Sequence, residues 1–239
     1  MRAVEALRDN DNKIEGGKRS ERPKIEWSYR PQFLVAPLYA RLPPRVVRDL
    51  NALTDRRLKD RDAKDYSEHL AGHIERGAQV ELELGELPPR FRGLVLDLSA
   101  AYVESQRSLG GFRPEHFELS FVDAWVVSQR EKDFNPIHRH GGQLSGIVYL
   151  KVPRQINRRN FPEGCLEFVY GRGKPETLDF NGNRTVLPVA GDMYIFPAWL
   201  QHLVYPFYGR GERRSLSFNV NLTCGPEGMD RSSVEVKRT

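Results

Sequence analysis

Three histidines in this chain have the type and spacing of metal ligands: His138, His140 and, later in the chain, His202. Residues two positions apart in an extended strand point to the same side, so His138 and His140 can face one point. A third imidazole from a neighbouring strand would complete one face of an octahedral metal site, leaving positions open for a substrate, a cosubstrate or dioxygen. Each histidine alone is more typical of a surface or hydrogen-bonded residue, but the three together favour a metal.

A second group of polar residues lies on one face of an alternating segment, residues 213–221. Arg213 and Ser215 share this face, whereas Arg214 and Leu216 point to the other. A guanidinium fork beside a hydroxyl suits the binding of a carboxylate. The alternative is that the polar face is the solvent face of an antiparallel strand. We prefer Arg213 to Arg214 as the anchor, because Arg213 points inward if the apolar face packs against helices, although the opposite strand parity would reverse the choice.

The elements around these residues predict an α+β fold. Apolar residues at helical spacing predict helices at 44–58, 66–76 and 88–109. Alternating β-forming residues predict strands at 117–128, 142–152, 164–170, 185–189, 193–196 and 213–222. Helices followed by a run of strands indicate a C-terminal sandwich or jelly roll backed by N-terminal helices.

The chain divides into three predicted parts. Residues 1–23 are charged and polar, which is typical of a mobile arm, and residues 225–239 form a polar tail. Between them we expect a single domain over 24–224, with a helical part at 44–110 and the jelly-roll core at 115–224.

Composition narrows the class of protein. Of the 239 residues, 39% are hydrophobic and 29% are charged, which is ordinary for a globular protein. No apolar run is long enough to span a bilayer, and the first thirty residues lack the apolar segment of a secretory signal. Only Cys165 and Cys224 are present, which fits a reducing cytoplasm. We therefore expect a cytoplasmic protein without a membrane partner; the pattern does not indicate an oligomeric state.

Part of the net charge of +5 comes from one group of basic residues. A basic group follows the strand that ends near residue 152, and it comprises Lys151, Arg154, Arg158, Arg159, Arg172 and Lys174. One hypothesis is a basic rim that attracts an acidic or phosphate-bearing substrate, or nucleic acid. The alternative is a solvated loop. No aromatic residues interleave with these charges as in single-strand binders, so nucleic acid has no support beyond charge.

The order of these motifs resembles the 2-oxoglutarate and Fe(II)-dependent oxygenases, in particular an uncharacterised group of the prolyl-hydroxylase-like branch. The resemblance covers about residues 117–222 and rests on five stretches. They are His138-Arg139-His140, the segments 145–150 and 191–197, His202, and the segment 213–219. The resemblance implies a double-stranded β-helix, Fe(II) and 2-oxoglutarate as cofactors, dioxygen as co-substrate, and hydroxylation of a substrate with release of succinate and carbon dioxide.

The resemblance also implies roles for single residues. His138 opens the metal motif and His202 is the distal histidine. Arg213, Ser215 and Tyr149 then hold the far carboxylate of 2-oxoglutarate. One position departs from the family, since His140 stands where most members have aspartate or glutamate. We expect His140 to be the third ligand; the alternative is a carboxylate from elsewhere in the chain.

Two other functions fit the same histidines. The first is a cupin-type dioxygenase that binds its metal through three histidines and does not use 2-oxoglutarate. The second is a non-catalytic jelly-roll protein in which the histidines are incidental. Oxygen uptake without succinate would favour the first, and absence of a metal would favour the second.

Overall fold

The computed structural model describes residues 36–67, 72–75, 77–108, 116–170 and 183–224. All of them belong to one compact unit, Gln32–Thr239, and a second unit, Met1–Pro31, lies outside the described residues. The arm and the tail expected from the sequence also lie outside them. None of the described helices combines the length and the apolar character that crossing a membrane requires.

Within the described residues the chain forms two α-helices and ten β-strands. The helices are α1 (Pro44–Arg57) and α2 (Pro89–Ser108). The strands are β1 (Leu38–Arg41), β2 (Ala78–Glu81), β3 (Phe117–Gln129), β4 (Asn135–His138), β5 (Leu144–Lys151), β6 (Leu166–Phe168), β7 (Arg184–Val186), β8 (Asp192–Pro197), β9 (His202–Val204) and β10 (Arg213–Cys224).

The strands form two antiparallel sheets. The larger sheet has six strands in the order β1-β8-β5-β10-β3-β2, and the smaller has four in the order β4-β9-β6-β7. Residues of both sheets pack into one apolar cluster, in which Ile147 and Phe196 of the large sheet contact Leu166 and Val204 of the small one. Two antiparallel sheets with a shared core are the architecture of a jelly roll, so the predicted α+β class with a jelly-roll core is confirmed.

A second apolar cluster joins the large sheet to the helices. Leu216, Phe218 and Val220 of β10 alternate onto this outer face and are buried with Leu50 of α1 and Phe91 of α2. Alternate residues of each strand point to opposite faces, so the same strands present their other residues to the small sheet. One face of the large sheet therefore packs against the helices, and the other face lines the interior of the jelly roll.

Gly146 of β5 makes this outer packing possible. A Cβ atom at this position would lie 2.1 Å from the ring of Phe218, which is far inside contact distance. Phe218 uses the space to pack edge-on against Phe91, with ring centroids 6.0 Å apart. The glycine therefore sets how closely the aromatic layer approaches the sheet.

Most of the predicted elements are present. The helices predicted at 44–58 and 88–109 and all of the predicted strands appear with small shifts of their ends. The helix predicted at 66–76 is wrong for the described part of that segment, where His73 forms an isolated β-bridge with Phe134. The part predicted as helical, 44–110, also contains the edge strand β2, which pairs with β3. Strands β2, β4 and β9 were not predicted, and none of them has more than four residues.

Arg214 joins α1 to the large sheet. Its guanidinium is buried and donates hydrogen bonds to the carboxylates of Glu212 and Asp55, each at 2.6 Å, and to Thr54 at 3.0 Å. Lys151 of the neighbouring strand contacts the same two carboxylates. Two cations and two carboxylates therefore neutralise one another at the junction of α1, β5 and β10.

Replacing Arg214 with methionine should destabilise the protein, because Glu212 and Asp55 would lose their main partner. We expect the free energy of unfolding to fall by about 2–4 kcal/mol near neutral pH, measured by urea unfolding. The matched control is Arg48→Met on the exposed side of α1, for which we expect a change below about 0.5 kcal/mol. Equal effects of the two variants would contradict the stabilising role of Arg214.

The difference in unfolding free energy between the wild type and Arg214→Met should depend on pH. The hydrogen bond from Arg214 holds the pKa of Asp55 below its usual value of 3.8. Burial acts to raise the pKa of Glu212, but hydrogen bonds from Arg214 and Ser128 outweigh it and leave that pKa below 4.5. A carboxyl whose pKa is depressed by folding stabilises the protein above its unfolded-state pKa, and this contribution disappears as the pH falls through the folded-state pKa. The difference should therefore be largest above about pH 5 and should shrink as the pH falls through the lowered folded-state pKa values of the two carboxyls.

Candidate active site

The three predicted metal ligands meet inside the jelly roll. Strands β4 and β9 pair antiparallel, which places His138 opposite His202. His140 follows β4 and is fixed by a backbone hydrogen bond from its amide to the carbonyl of Ala198, at 3.0 Å. One ring nitrogen from each histidine lies within 4.8 Å of the other two, and Nε2 of His140 is 3.2 Å from Nε2 of His202. The arrangement is compact enough for all three to bind one ion.

Two of the rings are oriented by the backbone. Nδ1 of His138 lies 2.7 Å from the carbonyl oxygen of Pro136, and Nδ1 of His202 lies 2.9 Å from that of Leu200. A carbonyl only accepts, so Nδ1 carries the proton in both rings and Nε2 keeps its lone pair. This is the second contact that typically orients a metal-binding histidine.

The site keeps its imidazoles neutral. Burial, with a smaller effect of the two neighbouring rings, lowers the pKa of His140 to about 3. Burial and the nearby His138 lower the pKa of His202 to about 4, and burial also lowers the pKa of His138. Neutral imidazoles near physiological pH can donate their lone pairs to a metal without first losing a proton.

No carboxylate joins this group in the part of the chain that the structure describes. Asp133, which is close in sequence, is buried elsewhere and accepts hydrogen bonds from the amides of Glu75 and Arg130. Three imidazoles suit divalent iron as well as other first-row metals. The donor set therefore fits Fe(II), with His140 in the place of the carboxylate usual in the resembling family.

Arg213 lies in the same pocket as the three histidines, on the inward face of β10 with Ser215 and Ser217. The side chain is 1% exposed. It donates to two neutral acceptors, the carbonyl of Gly164 at 2.9 Å and Oε1 of Gln129 at 2.5 Å. Its Nη2 has no hydrogen-bond partner among the described residues. Among the described residues the guanidinium is thus a buried cation without a carboxylate partner, whereas Arg214 points to the opposite face and binds two.

Tyr149 lies beside this guanidinium. It is fully buried and directly opposite Ser215 in the pairing of β5 with β10. The centre of its ring is 5.1 Å from Cζ of Arg213, and its hydroxyl has no hydrogen-bond partner in the described part of the chain. Burial raises the pKa of this hydroxyl, which therefore stays protonated and able to donate. Unpaired donors on Arg213 and Tyr149 fit the far carboxylate of 2-oxoglutarate.

Sequence reasoning missed the residues that support Arg213. Gln129 and Asn135 are both buried, and together they form a hydrogen-bonded chain that ends on the guanidinium. The only signal for Gln129 was its position on the same strand face as Trp125 and Val127, which line the pocket. From the sequence, Asn135 before Pro136 fits a turn as well as a residue that orients a ligand or the cosubstrate.

The predicted basic rim does not border the pocket in the described residues. Arg154, Arg158 and Arg159 are exposed on the loop before Gly164, and none of them lines the pocket. Lys151 binds Asp55 and Glu212 on the helix side of the sheet. Arg172 and Lys174 lie outside the described residues. The described side chains therefore give no support to an acidic or phosphate-bearing substrate.

The sequence match now assigns the family. Residues 123–219, which carry all three histidines and Arg213, match the family described as "Putative 2OG-Fe(II) oxygenase". This region of the chain belongs to the 2-oxoglutarate/Fe(II)-dependent oxygenase superfamily. The expected cofactors, Fe(II) and 2-oxoglutarate, are confirmed with it. No curated protein has a sequence that matches this oxygenase.

Solved structures share the fold of this oxygenase at low sequence identity. A prolyl-4-hydroxylase from Pseudomonas putida is 20% identical with a TM-score of 0.50, over 78% of this chain and 93% of that one. HygX from Streptomyces hygroscopicus, solved with nickel, 2-oxoglutarate and hygromycin B, is 14% identical with a TM-score of 0.50, over 78% and 83% of the two chains. The epimerase SnoN from nogalamycin biosynthesis is 18% identical with a TM-score of 0.53, over 84% and 90%.

The oxygenase should lose its metal when one histidine is removed. We expect His202→Ala to lower bound Fe(II) at least about tenfold, because the ion would keep only two of its protein donors. Metal analysis after anaerobic loading and desalting measures this change. The control is His73→Ala, since the His73 side chain is 57% exposed and pairs with Glu75 instead. Full metal content in folded His202→Ala would exclude this residue as a ligand.

Two substitutions test His140 separately. His140→Ala should lose Fe(II) as His202→Ala does. His140→Asp should retain it, because aspartate supplies the carboxylate that most members of the superfamily use at this position. Retention of iron by His140→Ala would show that the third donor comes from elsewhere.

Proposed function

We propose that this oxygenase is a hydroxylase that holds Fe(II) on His138, His140 and His202 and the far carboxylate of 2-oxoglutarate on Arg213, Ser215 and Tyr149. One observation carries the proposal. A buried guanidinium without an acidic partner shares a pocket with three histidines whose nitrogens converge. An anion that also reaches the metal would satisfy both groups.

When bound, iron and 2-oxoglutarate supply the oxidising chemistry, in which dioxygen and 2-oxoglutarate yield succinate, carbon dioxide and an oxidised substrate. The side chains have three tasks. The histidines present neutral lone pairs from a rigid pair of strands. Arg213 and Tyr149 fix the far end of the oxoacid by charge and hydrogen bonds. The apolar wall, which includes Trp125 at 5.3 Å and Phe196 at 5.0 Å from histidine rings, excludes water.

Hydroxylation is the reaction that requires the fewest additional functional groups from the residues of this pocket. It places oxygen on the carbon that lost hydrogen, so it needs no further acid, base or hydrogen donor from the protein. Apart from the histidines and Arg213, the described residues that line the pocket are apolar or neutral, and no thiol is among them. The epimerase SnoN shares the fold, so the fold alone does not select this outcome.

Binding of 2-oxoglutarate should depend on Arg213 and not on Arg214. We expect Arg213→Lys to raise the dissociation constant about tenfold or more, because lysine lacks the fork that binds a carboxylate through two bonds. Arg214→Lys, the matched control on the opposite face, should change it by less than about twofold. The visible charge-transfer band of the anaerobic Fe(II) complex gives the affinity for 2-oxoglutarate.

The outcomes separate this proposal from the other functions. Absence of the band in folded, iron-loaded wild type would exclude the proposed role of 2-oxoglutarate. The opposite ranking of the two arginine variants would place the anchor on the other face of β10. Oxygen uptake without succinate would indicate a three-histidine dioxygenase, and failure to bind iron would indicate a non-catalytic protein.

A further inference from the structure

Gln129 is the partner that the buried guanidinium contacts most closely, and it is fully buried near the end of β3. Its Oε1 accepts from Nη1 of Arg213 at 2.5 Å, and its Nε2 donates to Oδ1 of Asn135 at 2.9 Å. A guanidinium has donors only, so the amide must turn its oxygen towards Arg213 and its nitrogen towards Asn135. The orientation of Gln129 is therefore fixed at both ends.

Asn135 connects this chain of contacts to the metal strand. It is buried, it lines the pocket, and it belongs to the same four-residue strand as His138. Two hydrogen bonds and the backbone of β4 thus connect the guanidinium of Arg213, through the two amides, to His138. Each member between Arg213 and His138 is neutral.

A comparison with Arg214 shows how a neutral partner affects the charge of a buried guanidinium. The two arginines are adjacent on β10 and both are buried. Arg214 faces two carboxylates at 2.6 Å, so its charge is already neutralised by the protein. Glutamate has nearly the same shape as glutamine and would contact Arg213 with a full negative charge. Because a carboxylate only accepts, the amide of Asn135 would have to turn its nitrogen towards it. The amide at position 129 holds the guanidinium and leaves its charge uncompensated.

We propose that Gln129 is a positioning residue that fixes Arg213 without neutralising it, so that the guanidinium charge is available to the far carboxylate of the oxoacid. This inference rests on the proposed function. Burial of a cation without a counter-charge is unfavourable, and a bound carboxylate relieves the cost. The unliganded protein therefore gives up stability, and binding of the oxoacid recovers it.

A negative charge at position 129 should move stability and affinity in opposite directions. In Gln129→Glu we expect the melting temperature without ligand to equal or exceed that of the wild type, because Arg213 gains a partner. We expect the dissociation constant of 2-oxoglutarate with anaerobic Fe(II) to rise about tenfold or more, because its far carboxylate must compete with the negative charge that the substitution introduces. The rise in melting temperature caused by 2-oxoglutarate should shrink accordingly. A purely structural role would lower stability and affinity together.

Three controls complete the experiment. Gln129→Met removes the contact without adding charge and should lower both stability and affinity. Gln106→Glu adds the same charge on the surface of α2 and should change neither. Pyruvate has the same oxoacid end as 2-oxoglutarate but lacks the far carboxylate, so its affinity for the iron-loaded protein should be equal in the wild type and Gln129→Glu.

The results distinguish failure of this inference from failure of the proposed function. An affinity of Gln129→Glu for 2-oxoglutarate within about twofold of the wild type would overturn the inference, while binding to the wild type and its loss in Arg213→Lys would leave the proposed function intact. Parallel losses in Gln129→Glu and Gln129→Met would also overturn it. Failure of the wild type to bind 2-oxoglutarate would remove both.

Discussion

An uncompensated positive charge in the interior is the constraint on which the site depends. Arg213 is buried between the two sheets, where an ion without a partner costs on the order of several kcal/mol. The protein supplies hydrogen-bond acceptors for the guanidinium, the carbonyl of Gly164 and the amide of Gln129, but neither of them carries a negative charge. A folded chain can retain such a charge because the jelly roll has two large apolar clusters that stabilise it independently.

Strand alternation separates the structural and the functional demands on the large sheet. Arg213 and Arg214 are consecutive, so their side chains leave β10 on opposite faces. The outward guanidinium joins α1 to the sheet through paired charges, and the inward one keeps a nitrogen without a hydrogen-bond partner among the described residues. The same alternation places Phe218 among the helices and Ser217 in the pocket. One strand thus carries stability and binding on its two sides without conflict between them.

The positive charges at the two ends of the pocket match the two negative charges of 2-oxoglutarate in the proposed complex. Three neutral imidazoles leave both positive charges of a divalent metal in place, and Arg213 adds a third. A site with one carboxylate ligand would hold one positive charge fewer. 2-Oxoglutarate brings two negative charges, one to each end of the pocket, which suits a site with a metal at one end and a guanidinium at the other. His140 in place of the usual carboxylate therefore makes the pocket more attractive to a dianion.

The sequence alone determined the parts of this oxygenase that local periodicity encodes. Helices α1 and α2, the long strands and the shared face of Arg213 and Ser215 all follow from the 3.6- and 2-residue periods of the side chains. The packing of the opposite face of β10 against the helices decides that this shared face points inward. The spacing of His138 and His140 followed from the same rule.

Only the tertiary structure decided which distant residues meet. Strands β4 and β9 are too short to show a period, and their antiparallel pairing brings His202 opposite His138. Residues 72–75 do not form a helix, because His73 forms a β-bridge with Phe134. The neutral chain from Asn135 through Gln129 to Arg213 joins three strands. Arg154, Arg158 and Arg159 do not line the pocket. These features depend on contacts between residues far apart in the chain, which a pattern of neighbouring residues does not contain.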